Sequence, residues 1–190
     1  MPYSEWHPGV TLPAPVYLEA SVVVTYFIAK DPRYKETTQL FGDLLVEKTD
    51  LLISTLTVSE CLWGLAKVSY HELFRHKSNV KFSPAIFRTH VDDIFERFGD
   101  RMNSVHHWLR DWRAAGIKID LLPTSNDIER ISAAAPVYMK TFQLASADAV
   151  HLAAAETAAA SFLTTDRDFE RAQGSPLQIF CITPPSTVKG

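Results

Sequence analysis

The chain has 190 residues, 46% of them hydrophobic and 22% charged, with a formal net charge of -3. Those totals describe an ordinary globular chain long enough for a sizeable core, most simply one domain spanning 1–190. They exclude a general electrostatic attraction to nucleic acid, leaving only a local patch for such binding, and no apolar run approaches a membrane span. Cys61 and Cys181 are far apart and lack metal-ligand spacing, so they read as buried thiols rather than a disulfide.

Residues 1–15 carry four prolines and read as an extended arm, without the basic and apolar regions of a secretory signal; this points to the cytoplasm. Residues 16–19 form a first short strand, and Ser21 is placed to start a helix. Asp31 and Pro32 read as N-cap and first residue of a second helix, running to about Val46. Leu51–Ser54 is a second strand, after which Thr57 and Glu60 match a capping box opening a helix to about Ser69. Residues 70–116 hold five of the seven histidines. The apolar spacing of Ile86, Val91, Ile94, Phe95 and Phe98 predicts one amphipathic helix there and 105–115 another, a helical excursion from the main pattern.

A third strand is expected at 117–122 and a helix at 124–135, ended or kinked by Pro136. The alanine-rich run 145–160 is helical, with Ser146 as N-cap and Asp148 in its first turn. Residues 161–165 switch to strand composition and end on Asp166; 177–182 supplies a last strand before a short tail at 183–190. Strands alternating with helices predict an α/β fold, a mostly parallel central sheet flanked by helices on both faces.

In that fold Glu19, Glu60, Asp148 and Asp166 all fall at or just beyond the same end of the sheet, where open parallel sheets place their sites. Clustered carboxylates repel one another, and a hard divalent cation with oxygen ligands relieves the repulsion. Each acid also has a structural role open to it. Glu60 can complete the capping box, Asp148 can complement the helix dipole, and Asp166 can cap the segment that follows it. Glu19, ending an apolar strand, has no such capping role.

The stretches VYLEASVVVTYF, ISTLTVSECLWG, ASADAVHLAAA and FLTTDRDF, in that order, resemble the PIN domain, the nuclease fold of VapC-like toxins. The resemblance implies metal-binding carboxylates at Glu19, Glu60, Asp148 and Asp166, with Ser21, Thr165 and Asp168 as accessory residues. It also implies Mg²⁺ or Mn²⁺ as cofactor, RNA as substrate, an antitoxin protein as inhibitor and a homodimer. His151 reads as structural or hydrogen-bonding rather than as a ligand. The aromatic and basic residues of 70–116, Arg75, Lys77, Phe82, Phe87, Trp108 and Trp112 among them, suit a surface that packs a partner or guides RNA, or else a solvated helical pair.

The family normally has aspartate where this chain has Glu19. The added methylene moves the carboxylate, and displacements of about 1 Å at a reacting centre can cost about a hundredfold. Two expectations follow: a metal-dependent ribonuclease that hydrolyses RNA with a metal-activated water, or a weakened or inactive PIN-fold module that binds RNA or a protein partner.

Overall fold

The computed structural model describes residues 3–74, 80–122 and 127–184. Its strands are β1 (Tyr3–Trp6), β2 (Val16–Leu18), β3 (Leu51–Ser54), β4 (Ile119–Leu122), β5 (Ser161–Thr164) and β6 (Ile179–Ile182). Every pairing is parallel, in the order β1-β6-β5-β2-β3-β4. Helices α1 (Ala20–Phe27), α2 (Tyr34–Glu47), α3 (Thr55–Leu73), α4 (Pro84–Ala114), α5 (Ile128–Phe142) and α6 (Ser146–Thr157) connect them. This is the expected α/β fold, with one strand more than expected. The N-terminal stretch, expected as an extended arm, supplies edge strand β1, paired along its length with β6. Pro8, Pro13 and Pro15 all follow β1 and so remove none of its ladder bonds.

Alternation within the strands divides the core. Val16 and Leu18 of β2 join Val22, Leu40, Leu65 and Trp112 on the face covered by α1 to α4. Tyr17 points the other way, into a second cluster with Leu152, Ala153, Phe162 and Tyr138 beneath α5 and α6. The chain steps from β2 to β3 to β4 on one side, then crosses to β5 on the other side of β2. Right-handed crossovers in opposite directions put their helices on opposite faces. The direction reverses between β2 and β5, and a crevice opens there at the C-terminal strand ends.

Several local expectations are corrected. The capping box lies one residue triplet earlier: Ser54 Oγ accepts from Thr57 N at 2.9 Å and Thr57 Oγ1 accepts from Ser54 N at 3.2 Å, leaving Glu60 with no capping duty. Helix α2 starts at Tyr34, because the Asp31 carboxylate is taken by the amide and guanidinium of Arg33. Ser146 is inside α6, whose N-cap is Ala145. Pro136 does not end α5; it lies on the exposed helix face, where water can satisfy the carbonyl it leaves unpaired. The expected start of that helix at Thr124 is outside the described residues.

In the described part of the 70–116 segment α3 runs to Leu73, and the two expected helices fall within α4, which is kinked, with non-helical backbone at His90 and Phe98. Its aromatics divide between surface and core, with Phe95 exposed and Phe87 half-buried. Trp108 and Trp112 are buried against Phe41 of α2, with ring centroids at 5.8 and 5.3 Å, and Phe82 packs on Tyr70. Arg75 and Lys77 lie outside the described residues. Cys61 and Cys181 are buried free thiols. No helix among the described residues is long and apolar enough to cross a membrane.

Ser54→Ala removes the cap of α3 and is expected to cost about 1 kcal/mol in equilibrium urea unfolding; a change within about 0.2 kcal/mol would place the helix start elsewhere.

Candidate metal centre

At the β2–β5 switch point the first acid is folded inward. Glu19 is 6% exposed and is itself the N-cap of α1: Ser21 N donates to its Oε1 at 3.0 Å. The expectation that Glu19 has no capping role is therefore wrong. A glutamate is long enough to turn back over the first helical turn, which the strand-end reading does not anticipate. Its Oε2 accepts from the Ser21 hydroxyl and from Thr164 Oγ1, the latter at 3.1 Å. The two hydroxyls are locked in turn, Ser21 Oγ accepting from Thr165 N at 3.0 Å and Thr164 Oγ1 from Asp166 N at 2.9 Å. This lattice ties the end of β2 to the end of β5. Burial pushes the Glu19 carboxyl above its usual range, against the pull of the Ser21 hydroxyl and the positive end of His151.

Glu60 stands on the second turn of α3. That helix approaches α1 closely at Gly64, where a Cβ would lie 2.9 Å from Val24 Cγ2. Glu60 Oε2 is 2.7 Å from His151 Nε2, and His151 Nδ1 is 2.7 Å from the Tyr17 hydroxyl. His151 is fully buried and bonded at both nitrogens, in keeping with a hydrogen-bonding role. One donor atom each from Glu19, Glu60 and His151 lie within 4.8 Å of one another, a group that can hold a metal ion.

Asp148, half-buried in the first turn of α6, has its carboxyl raised by burial and then by the charges of Asp166 and Glu60, with Asp168 adding to them. Two of the other acids picked from the sequence, Asp166 and Glu60, therefore press on Asp148, and Glu60 in turn stands close to Glu19. Asp166 also accepts from Asp168 N at 2.8 Å and caps the 3-10 segment Arg167–Ala172, so its structural role is filled as well. Asp168 is exposed and pairs with Arg171 at 3.5 Å. Thr165 Oγ1 is buried with no hydrogen-bond partner among the described residues. Buried oxygen donors, raised carboxyls and an unpartnered hydroxyl oxygen together fit a hard divalent cation.

Three contributors escape sequence reading. Arg33, gripped by Asp31 at 2.8 Å, donates from Nη1 to Thr165 O at 2.9 Å and pins the turn that carries Asp166. Thr164 stands next to the expected Thr165, and Tyr17 lies in a short apolar strand. The signal for Tyr17 is that a buried tyrosine hydroxyl needs a polar partner. Ser21, Asp31, Arg33, Thr165 and Asp166 border a cleft of about 300 Å³ beside the acids. A larger cleft of about 500 Å³, between α3 and α4 at Leu62, Trp63, Phe87 and Phe95, has no titratable side chain in its lining and is not where the chemistry lies.

The PIN domain family matches residues 16–175. Among solved structures the chain is similar to FitAcB from Neisseria gonorrhoeae, at 18% identity over 87% of this chain and 96% of that one, TM-score 0.49. It is also similar to VapBC2 from Rickettsia felis bound to a DNA fragment from their promoter, at 10% identity over 87% and 96%, TM-score 0.48. A third similar structure is FitAB bound to an IR36 DNA fragment, at 15% identity over 89% and 94%, TM-score 0.47. No curated protein matches the chain.

A carboxyl raised in the folded state costs stability as pH climbs from its unfolded value through its folded one, and costs nothing below both. Asp148→Asn is therefore expected to match or exceed the parent's melting temperature at pH 7.5 without added metal, an advantage that vanishes near pH 4. Lower stability of the variant at pH 7.5 would show that Asp148 is not under repulsion from its neighbours.

Proposed function

The chain belongs to the PIN domain family, and from that premise we propose that it is a metal-dependent endoribonuclease, with Mg²⁺ or Mn²⁺ held by Glu19, Asp148 and Asp166. Glu60 serves as a further ligand or as the acceptor that orients the attacking water. The observation that carries the reading is the convergence of these acids on the β2–β5 crevice, with the Asp148 carboxyl raised by burial and then by the charges of Asp166 and Glu60.

When bound, the cation would lower the pKa of a water and offset charge on the phosphate in the transition state. The chain's own residues do the rest. Ser21 and Thr164 fix the Glu19 carboxylate, sparing reorganisation at the moment of reaction. Arg33 and the Thr164 hydroxyl hold the carbonyl and the amide of the peptide unit between Thr165 and Asp166, which sets where Asp166 stands. Hydrolysis joins the water oxygen to phosphorus and releases the sugar oxygen with a proton. Thr165, whose hydroxyl oxygen is buried without a partner among the described residues, and the exposed Asp168 are assigned as accessory residues beside the acids. As the likeness to VapC-like toxins implies, the proposed partners are an antitoxin protein and a second copy of the chain.

A second reading draws on Glu19 itself. Its carboxylate already accepts from one amide and two hydroxyls, and it is longer than the family's aspartate. A carboxylate so engaged suits a module that binds RNA or a partner without turnover.

The two readings separate on a labelled RNA pool with Mn²⁺. The nuclease cuts, stops with EDTA, and loses at least about a hundredfold in rate on Asp148→Asn, as expected when a charge that stabilises the transition state is removed. Cleavage that is indifferent to that substitution would overturn the reading. Cleavage only after Glu19→Asp would mark the present chain as a weakened nuclease, and none from either form would favour the binding module.

A further inference from the structure

Tyr17 and His151 sit behind Glu60 and touch no open part of the crevice. His151 is buried completely, in the middle of α6, and Tyr17 is buried completely in the central strand β2. Neither position is explained by packing alone. A leucine would fill the space beneath α6 without needing two polar partners. Instead the ring spans two elements: Nδ1 meets Tyr17 Oη at 2.7 Å and Nε2 meets Glu60 Oε2 at 2.7 Å.

The direction of the chain follows from its ends. A carboxylate oxygen accepts, so the proton between His151 and Glu60 is assigned to Nε2, and Nδ1 is then the acceptor for the Tyr17 hydroxyl. The Tyr17 phenol, which carries a proton to give, is the donor in that contact. Its ring is held by stacking on Phe162, centroids 5.7 Å apart, and the hydroxyl lies 3.4 Å from Thr57 Oγ1 in the capping box of α3. The base of α3, strand β2 and helix α6 are thus joined behind one carboxylate. With both nitrogens occupied, the ring has no lone pair directed at a cation.

We propose that Tyr17 and His151 are positioning residues that fix the rotamer of Glu60 in the metal centre, and that His151 is not itself a ligand. The inference rests on the nuclease reading above, deepening it by assigning the group that orients Glu60. Outer partners of this kind typically contribute about 10–100-fold to metal affinity.

The test measures Mn²⁺ affinity of the full chain from the free-ion paramagnetic resonance signal. His151→Leu is expected to weaken binding by about 10–100-fold, Tyr17→Phe by less. Tyr17→Phe should add nothing in the His151→Leu background, because its effect passes through the imidazole. His151→Gln, which keeps an N–H donor at the position of Nε2, should restore affinity to within a few-fold of the parent. A merely structural pair would lower the melting temperature of the metal-free protein and leave the affinity of the folded protein unmoved, which overturns the proposal. A second measurement needs no variant that might misfold: long-range ¹H–¹⁵N correlation spectra of the parent should show Nε2 of His151 protonated with and without Mg²⁺. Loss of that proton on adding Mg²⁺ would make His151 a ligand and overturn the proposal. Asp148→Asn is the control. If it abolishes Mn²⁺ binding while His151→Leu does not, the positioning role fails and the nuclease reading stands; if Asp148→Asn leaves binding intact, both fall.

Discussion

Everything at this site depends on the cost of bringing carboxylates together at one edge of a parallel sheet. Strands β2, β3 and β5 end side by side, and a chain that reverses direction between β2 and β5 opens a crevice where their ends meet. Glu19 is desolvated there, and Asp148 feels the negative charge of Asp166, Glu60 and Asp168. In the absence of compensation such a cluster would hold protons or pull the strand ends apart.

The compensation is built from short polar side chains and one buried imidazole. Ser21 and Thr164 donate to Glu19 while accepting from the amides of Thr165 and Asp166 just past β5, so the bonds that steady the acid also close the β2–β5 seam. Asp31 and Arg33 do the same for the turn at Thr165. His151 lends partial relief to Glu19 and Asp148 alike and anchors Glu60. Hydrogen bonds to charged groups contribute about 1.5–3 kcal/mol each in favourable cases, enough in combination to hold a site that repulsion alone would open. At Asp148 the arrangement costs stability, which the proposed cation would offset.

The placement of the four acids was legible because it needs only the order of strands and the rule that parallel strands end at a common edge. What surrounds them was less so. Strand β2 is three residues long and buried throughout, too short for period-two alternation to show that Tyr17 faces α6 while Val16 and Leu18 face α1. His151 sits in an apolar run, between Val150 and Leu152 in an alanine-rich helix, which hides a side chain that reaches across to α3. Trp108 and Trp112, four residues apart, read equally well as a docking stripe or as a buried ridge; Phe41 on α2, distant in sequence, decides for the core. The capping box was misplaced because both Ser54 and Thr57 suit an N-cap, and the strand end at Ser54 settles which of them does the capping. The β1 strand was missed because its pairing partner, β6, lies at the far end of the sequence.

The most direct test is crystallographic: crystals soaked in Mn²⁺, with anomalous difference density computed at the manganese edge. A peak in the β2–β5 crevice contacted by Glu19, Asp148 and Asp166, with the His151–Glu60 bond intact, is the expected result. A crevice without a peak, or manganese bound only elsewhere on the surface, would contradict the assignment of these acids to a metal centre.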